Sequence, residues 1–511
     1  MKMNIWVEWL LISVGWFLLA ACTALAVFFS GGAPVISIAI IGLVFGFVGA
    51  LLLAVLPKPN ENVRRYCFYL LCLYLFLLVV WPRYALVRLP GLPGLSPPRL
   101  VQLGVLLLWT YLIIKSDNFR ERAFERFGVA KPFIIMLSVF IGLKFFSIFI
   151  SDFPMQSAKG WMNELLSFYV LFFIALSVIE SRDDFHLILK SFTLAFLVVC
   201  VVGVYEFYVG RNVFFGLLEV DSDYLYHVLR DKDRAGAYRI QSTFSHPLTL
   251  SECVVMAMPL VAILFFGKKI TVFRASVFML LLALGAFVVL KTGSRSGLGA
   301  FFAIAVCALF LMCAREIKNQ RSGVATGFYV LVFIAIVGCA AIGAYLISDL
   351  LVGRTLREYN SGMVRLDMWK HGLRLAADSP ILGYGQDMAA GILGFSGYGG
   401  AVTIDSYYLS ILLESGVISL LVYVAMIVFV VVKSLGFGMR ASEYSFPALM
   451  FLSALIGFFL IKSILSTTHN HGLVMIFIGC LFWLFSNKNS MESRFFIRGS
   501  SLEYCRGVLR N

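Results

Sequence analysis

Arg295 lies in Lys291-Thr-Gly-Ser-Arg-Ser-Gly-Leu298, a short break between two apolar runs that are each long enough to cross a bilayer. A permanently charged guanidinium at that depth is costly unless it faces a cavity or an anion, so it marks a candidate site. Other residues suited to chemistry cluster at span mouths. Arg239 and His246 fall in Tyr238-Arg-Ile-Gln-Ser-Thr-Phe-Ser-His-Pro-Leu248, where a polar side chain can meet a substrate headgroup. His246 fits local capping or packing as well as catalysis, and Pro247 suits a helix start because its missing N–H is no loss there.

Asp405, in Thr403-Ile-Asp-Ser-Tyr-Tyr-Leu-Ser-Ile-Leu-Leu-Glu-Ser-Gly416, stands at the outer boundary of a helix. A carboxylate there accepts backbone N–H bonds as a cap. The same group accepts a proton from a sugar hydroxyl if pKa and geometry allow. Glu414, deeper in the helix, reads as structural. His469 and His471, in Ser466-Thr-Thr-His-Asn-His-Gly472, are two residues apart and do not share a helix face, so a metal pair is not expected. They line an acceptor path or hydrogen-bond at the interface. His186 and His371 read as structural or surface residues, and His227 as part of a solvated loop.

The elements that must position these residues are membrane spans. With 60% hydrophobic and 14% charged residues over 511 positions, the chain is not a soluble globule. Breaking it at charges, Gly/Pro clusters and polar loops leaves about 14 stretches near the ~20 residues that a transmembrane helix needs. They run over 6–29, 33–56, 66–81, 100–114, 131–150, 160–179, 185–208, 248–266, 275–290, 297–314, 326–347, 416–432, 446–464 and 472–485. The first is too long and too poor in leading basic residues for a signal peptide. The expected class is an all-α polytopic membrane protein.

Basic residues fix the orientation, since short loops rich in Lys and Arg stay cytoplasmic. Lys58/Arg64/Arg65, Lys115/Arg120/Arg122/Arg126, Lys268/Lys269/Arg274, Arg315/Lys318/Arg321 and Lys433/Arg440 all fall on one side, although Arg83, Arg88 and Arg99 cut against the rule. The basic tail shares that side and is attracted to anionic headgroups. Much of the +14 net charge is thereby accounted for, and no nucleic-acid partner is needed. The ten cysteines fall inside spans, apart from Cys505 in the tail and Cys67 near a span end, so neither disulfides nor zinc are expected.

Two long excursions interrupt the spans on the outer side. The first, 210–247, mixes acids and bases over 219–234 as a solvated surface does. In the second, Met363–Ala377 sets Leu366, Trp369, Leu373 and Ala376 on one apolar face, with Arg365, Lys370, His371 and Arg374 largely elsewhere, as in an interfacial helix. It stops at Ser379-Pro380, and Gly383-Tyr-Gly385 makes a turn that is weak as a phosphate loop. Gly-rich 391–401 reads as a flexible lid. The units are 1–209 (N-terminal spans), 210–247 (outer loop), 248–347 (central spans), 348–415 (outer loop with the interfacial helix), 416–486 (C-terminal spans) and 487–511 (tail).

Taken together, Thr292-Gly-Ser-Arg-Ser-Gly297 opening a helix, Arg365 followed by Trp369 and Pro380-x-x-Gly383-x-Gly385, and Asp405-Ser406 with Gly416 beyond resemble the O-antigen ligase and polymerase family. That family holds Wzy-type polysaccharide polymerases and lipopolysaccharide O-antigen ligases. The resemblance covers roughly 239–414. It implies a glycosyltransferase of the bacterial inner membrane that uses undecaprenyl-pyrophosphate-linked glycans on the periplasmic side, without nucleotide sugar, metal or other cofactor. It implies that Arg295, Arg365 and, less directly, Arg239 hold the pyrophosphate, as guanidinium forks suit phosphate oxygens.

The family's ligases carry His followed by Asn, Ser or Gln where Asp405-Ser406 stands here. The departure tilts the expectation from ligase to a polymerase of exopolysaccharide or O-antigen, with Asp405 and Arg295 catalytic and Arg239, Arg365, His246 and His469 binding substrate. Membrane lipids are expected partners, and a chain-length regulator and a flippase are candidate ones. A transporter of lipid-linked oligosaccharides competes with this view, but transporters show similar halves and midplane charges. Here the suspicious charges gather at outer ends and in outer loops, with none apparent deep within several spans.

Overall fold

The computed structural model describes residues 57–82, 84–86, 95–215, 226, 229, 232–234, 237–266, 271–318, 334, 338, 356–395, 402–440 and 442–487. The expected spans over 6–29 and 33–56, nearly all of 326–347, Arg83, Arg88, most of 219–231, the end of the Gly-rich 391–401 stretch and the basic tail lie outside the described residues.

The fold is all-α, apart from a two-stranded antiparallel hairpin of Asp233–Arg234 (β1) and Ala237–Tyr238 (β2). In chain order the helices are α1 Glu61–Val80, α2 Pro97–Lys115, α3 Asp117–Val129, α4 Lys131–Ser147, α5 Pro154–Glu164, α6 Val170–Val178 and α7 Arg182–Val209. They continue as α8 Pro247–Phe266, α9 Val272–Lys291, α10 Arg295–Lys318, α11 Leu356–Asp378, α12 Ala389–Leu393, α13 Tyr407–Gly438, α14 Ser445–Lys462 and α15 His471–Ser486. A π turn, Leu165–Tyr169, joins α5 to α6 in one continuous span.

Ten helices among the described residues are long and apolar enough to cross a membrane, and α15 is a shorter apolar helix. These eleven correspond to eleven of the expected spans. The bundle is layered by burial. In α8, 83% of the most apolar 18-residue window is buried inside the protein, against 17% for α2 and α9, so α8 is a central post and the others are peripheral. α8 packs on α14, α9, α10 and α7, while α13 packs on α4 and α14, and α15 on α6.

Contacts distinguish the two ends of the bundle. At one end Arg64 pairs with Glu180 (2.9 Å) and Asp184 (3.0 Å), Arg126 donates to the Ile179 carbonyl (2.6 Å), and Lys433 donates to that of Val129 (2.6 Å). The basic segment 117–129, expected as a loop, is thus a helix, α3. Its arginines face acids and free helix-end carbonyls, as the C-terminal end of a helix dipole favours. The candidate site residues lie at the other end.

One expected span boundary is corrected. α13 begins at Tyr407, nine residues before the expected span start at Gly416, because Gly416 breaks the helix without ending it (φ 82°, ψ 177°). The frayed backbone is taken up by the Pro380–Gly385 motif: Tyr384 N–H donates to Leu413 O (2.7 Å), Gly385 N–H to Glu414 O (3.0 Å), and Val417 N–H to Pro380 O (2.7 Å). The Gly-x-Gly is a clasp for a helix break. A Cβ on Gly383 would land on the Leu413 carbonyl oxygen, and one on Gly416 on that of Ile381.

The helix expected around Arg365 is α11: Leu366 and Leu373 are exposed, as on an interfacial helix, and the face that packs inward is Met368, Gly372 and Ala376 against Leu409, Leu412 and Leu413. Gly372 permits this close approach to Leu409, which a larger side chain would block.

A backbone conformation nearly reserved for glycine, with no room for a methyl group, makes Gly416→Ala a severe change. It is expected to cost at least about 2 kcal/mol and to lower the melting temperature of the detergent-purified protein. Gly436→Ala, on the same helix and with nothing near its Cβ position, is the control and should melt like the parent.

Candidate active site at one end of the bundle

The Thr292–Gly297 motif is the corner between α9 and α10. Thr292 and Gly293 close α9 through N–H bonds to Val288 O (2.9 Å) and Leu290 O (3.1 Å), and the Ser294 hydroxyl caps α10 by accepting from Gly297 N–H (2.9 Å). Gly297 lies hard against Ser251 of α8. The small residues therefore serve the turn, and Arg295 is the first residue of α10, partly exposed at the corner. A cation gains nothing from a helix N-terminus, and the two together favour an anion.

Arg239 is carried onto the same corner. Its Nε donates to Thr292 O (2.7 Å), its stem lies over Gly293, and the neighbouring Ile240 N–H donates to Lys291 O (3.2 Å). The turn that bears it is held by Glu206, fully buried near the end of α7. This carboxylate accepts from Tyr238 OH (2.6 Å), Gln241 N–H (3.2 Å) and Ser242 N–H. Ser242 is left-handed (φ 52°), a conformation that this clamp helps to hold.

His246 caps α8. Its carbonyl accepts from Thr249 and Leu250 N–H, and its Nδ1 accepts from Leu248 N–H (3.2 Å), which leaves the proton on Nε2. Burial lowers its pKa to about 3, and the charges of Arg239, Lys232 and Arg365 push the same way. It is a neutral donor among cations.

Arg365 of α11 donates from Nε to Asp405 Oδ2 at 2.8 Å, and both side chains remain about a third exposed (30% and 36%). The cap of α13 is Ser406, whose hydroxyl accepts from Leu409 N–H (3.4 Å). Capping is therefore not the work of Asp405, which turns to Arg365 instead. Glu414 is buried and accepts from Ser410 Oγ (3.0 Å).

His469 is buried, with its ring 5.0 Å from that of Phe244, two residues before His246. His471 begins α15 and packs against Tyr407 (4.4 Å) and Phe168 (5.5 Å). Their loop is fastened by Ser466 Oγ to Ile404 O (2.6 Å) and by Asn470 Nδ2 to Glu252 (2.7 Å), which in turn pairs with Lys462 (2.8 Å).

The structure thus joins Arg239 to the Arg295 corner and Arg365 to Asp405, and the charges of Arg239 and Arg365 both act on His246. His469 adjoins through Phe244 and is more enclosed than the rest. Sequence inspection overlooked the charges inside the spans: Lys144, Glu164, Glu206, Glu252 and Lys462 are all buried there. The expectation of no such charges is corrected: Lys144–Glu164 and Lys462–Glu252 are ion pairs, and Glu206 is satisfied by hydrogen bonds. Lys144 meets Glu164 (2.7 Å), which also accepts from Gln386 Nε2 (2.8 Å) and Tyr169 OH (2.7 Å). A lone acid within an apolar run was the available signal.

Because the folded-state pKa of His246 is depressed, its contribution to stability is present above its ordinary value of 6.5 and is lost as pH falls through about 3. Nitrogen NMR of histidine-labelled protein should show, at pH 5, one neutral Nε2–H ring whose signal vanishes in His246→Asn. A cationic ring at that pH would contradict the assignment.

Residues 278–424 match the family model described as O-antigen ligase. The match takes in the α9–α10 corner, α11, the clasp and the Arg365–Asp405 pair, and it leaves out Arg239, His246 and His469. No curated protein sequence matches this chain. The match supports a membrane glycan-processing function; members of that family are glycosyltransferase-like enzymes that act on lipid-linked glycans. Residues 278–424 of this multi-pass helical protein are thus similar to the O-antigen ligase model, consistent with an O-antigen ligase/polymerase-like family.

Proposed function

We propose that the chain polymerises undecaprenyl-pyrophosphate-linked oligosaccharide repeats into exopolysaccharide or O-antigen at the periplasmic face of the bacterial inner membrane. The observation that carries this view is the accessible Arg365–Asp405 pair, set among further cations at the outer end of the bundle.

In this scheme Arg295, Arg365 and Arg239 hold the pyrophosphate, and His246 offers its Nε2–H to the same anion. The acceptor hydroxyl gives its proton to Asp405 as its oxygen bonds to the anomeric carbon. The bond from that carbon to the phosphate oxygen breaks, and the lipid pyrophosphate leaves with the electron pair. Attack opposite the leaving group inverts the anomeric centre. The cations offset the charge that builds on the departing group. His469, enclosed against Phe244, supports the wall that faces the acceptor.

The description of the matching family favours a second view, transfer of the finished glycan to lipid A-core. Aspartate in place of the ligases' histidine weighs toward polymerisation. The transporter alternative is disfavoured by the packing, since α8, α14 and α15 fill the centre of the bundle and two pairs of buried charges within the spans, Lys144–Glu164 and Lys462–Glu252, are locked together.

The test is a polymer ladder from cells that lack the native gene and carry the parent, Arg295→Ala or Asp405→Asn at matched membrane levels. Removing a general base costs about a hundredfold or more in rate. The parent should give long polymer and the variants single lipid-linked repeats, and Arg295→Lys should not restore full function. Normal chain growth by Asp405→Asn would sink the role of that residue. Long chains stranded on the carrier would instead establish the ligase, and repeats stranded on the cytoplasmic face the transporter.

A further inference from the structure

Asp405 and Arg365 differ from the other ion pairs of the outer end. Lys144–Glu164 and Lys462–Glu252 are sealed inside the bundle, whereas this pair keeps both side chains about a third exposed and is joined through Nε alone. Exposed pairs of that kind contribute about 0–1 kcal/mol, so exchange of partners is cheap. Arg365 also belongs to a strongly positive locality, since its charge acts on His246 together with those of Arg239 and Lys232. Asp405 is the acid that sits on its guanidinium.

We propose that Asp405 is an internal anion that occupies Arg365 until the diphosphate of a lipid-linked donor displaces it, so that donor arrival releases the carboxylate to meet the acceptor. The inference rests on the diphosphate-binding role assigned to this site above. No covalent bond changes in this step; one anion replaces another. A diphosphate carries more charge than a carboxylate and offers several oxygens, so it engages the remaining guanidinium N–H groups of Arg365 and the neighbouring cations at once. Without donor, the guanidinium competes with the acceptor hydroxyl for Asp405. With donor bound, the same guanidinium is taken, and the order of events is donor first.

The gate makes an unusual demand on binding: removing a residue of the site must improve affinity for the donor. Binding of farnesyl diphosphate is measured by calorimetry on the full chain in nanodiscs at fixed salt. Asp405→Asn should bind about threefold to tenfold more tightly than the parent. Asp367→Asn removes an exposed acid two residues from Arg365 on α11 and should change affinity less than twofold, which separates contact from general electrostatics. Arg365→Ala and Arg365→Gln should each weaken binding at least tenfold, and adding Asp405→Asn to either should restore nothing.

Equal or weaker binding by Asp405→Asn, or equal tightening by Asp367→Asn, overturns the gate. Loss of binding in the arginine variants would then still uphold the diphosphate site. If the parent does not bind the probe, or Arg365→Ala and Arg239→Ala bind it like the parent, the diphosphate role falls and the gate with it.

Discussion

A helix broken among apolar neighbours must find partners for the peptide groups it frees, because neither lipid nor a packed core supplies them. In α13 the break at Gly416 is met by the Pro380–Gly385 segment, which returns N–H groups to Leu413 O and Glu414 O and a carbonyl to Val417. That exchange fixes more than the break. It anchors the C-terminal end of α11, which Tyr384 ties further by donating its hydroxyl to Leu375 O (2.8 Å), and Gly372 then seats α11 on Leu409. Arg365 lies two turns upstream of Gly372, and Asp405 lies just ahead of the first turn of α13. The meeting of the two side chains thus follows from how a broken helix is repaired.

The buried ions follow the same logic of satisfied groups. Removing one partner of such a pair strands a charge and costs about 3–5 kcal/mol, so these pairs restrict where the loops can lie more than they add to net stability. Glu206 holds the turn that carries Arg239. Glu252 and Lys462 hold the Asn470 loop against α8, and Glu164 links α5 to Lys144 of α4 and to Gln386 beyond the clasp. All of these stand behind the candidate site and none need touch a substrate. They fix the backbone from which the exposed arginines project.

This end of the bundle therefore combines an underlayer of buried, paired or hydrogen-bonded ions with a thin, accessible layer whose pairing can be exchanged. His246 belongs to both. Its carbonyl and Nδ1 serve the start of α8, while its neutral Nε2–H stands among cations without adding to their repulsion.

Much of this was written in the linear sequence. Long apolar runs allow only helices in a bilayer, and short polar interruptions set their ends, so the all-α class, eleven of the spans, the Thr292–Gly297 corner and the helix around Arg365 could be read directly. Asp405, Arg239, Arg295, Arg365 and His246 stood out because charged or titratable groups at span mouths are conspicuous. Their partners did not. Only the tertiary structure decided that Ser406 caps α13, that Asp405 turns to Arg365 across 40 residues, that Met368 and Ala376 rather than Leu366 and Leu373 face the core, and that Glu252 meets Asn470 across 218 residues. Hydropathy and helical period are local properties that specify which segments are helices. Partner choice is set by which helices become neighbours and at what rotation, and that depends on close packing and on pairing every buried polar group at once.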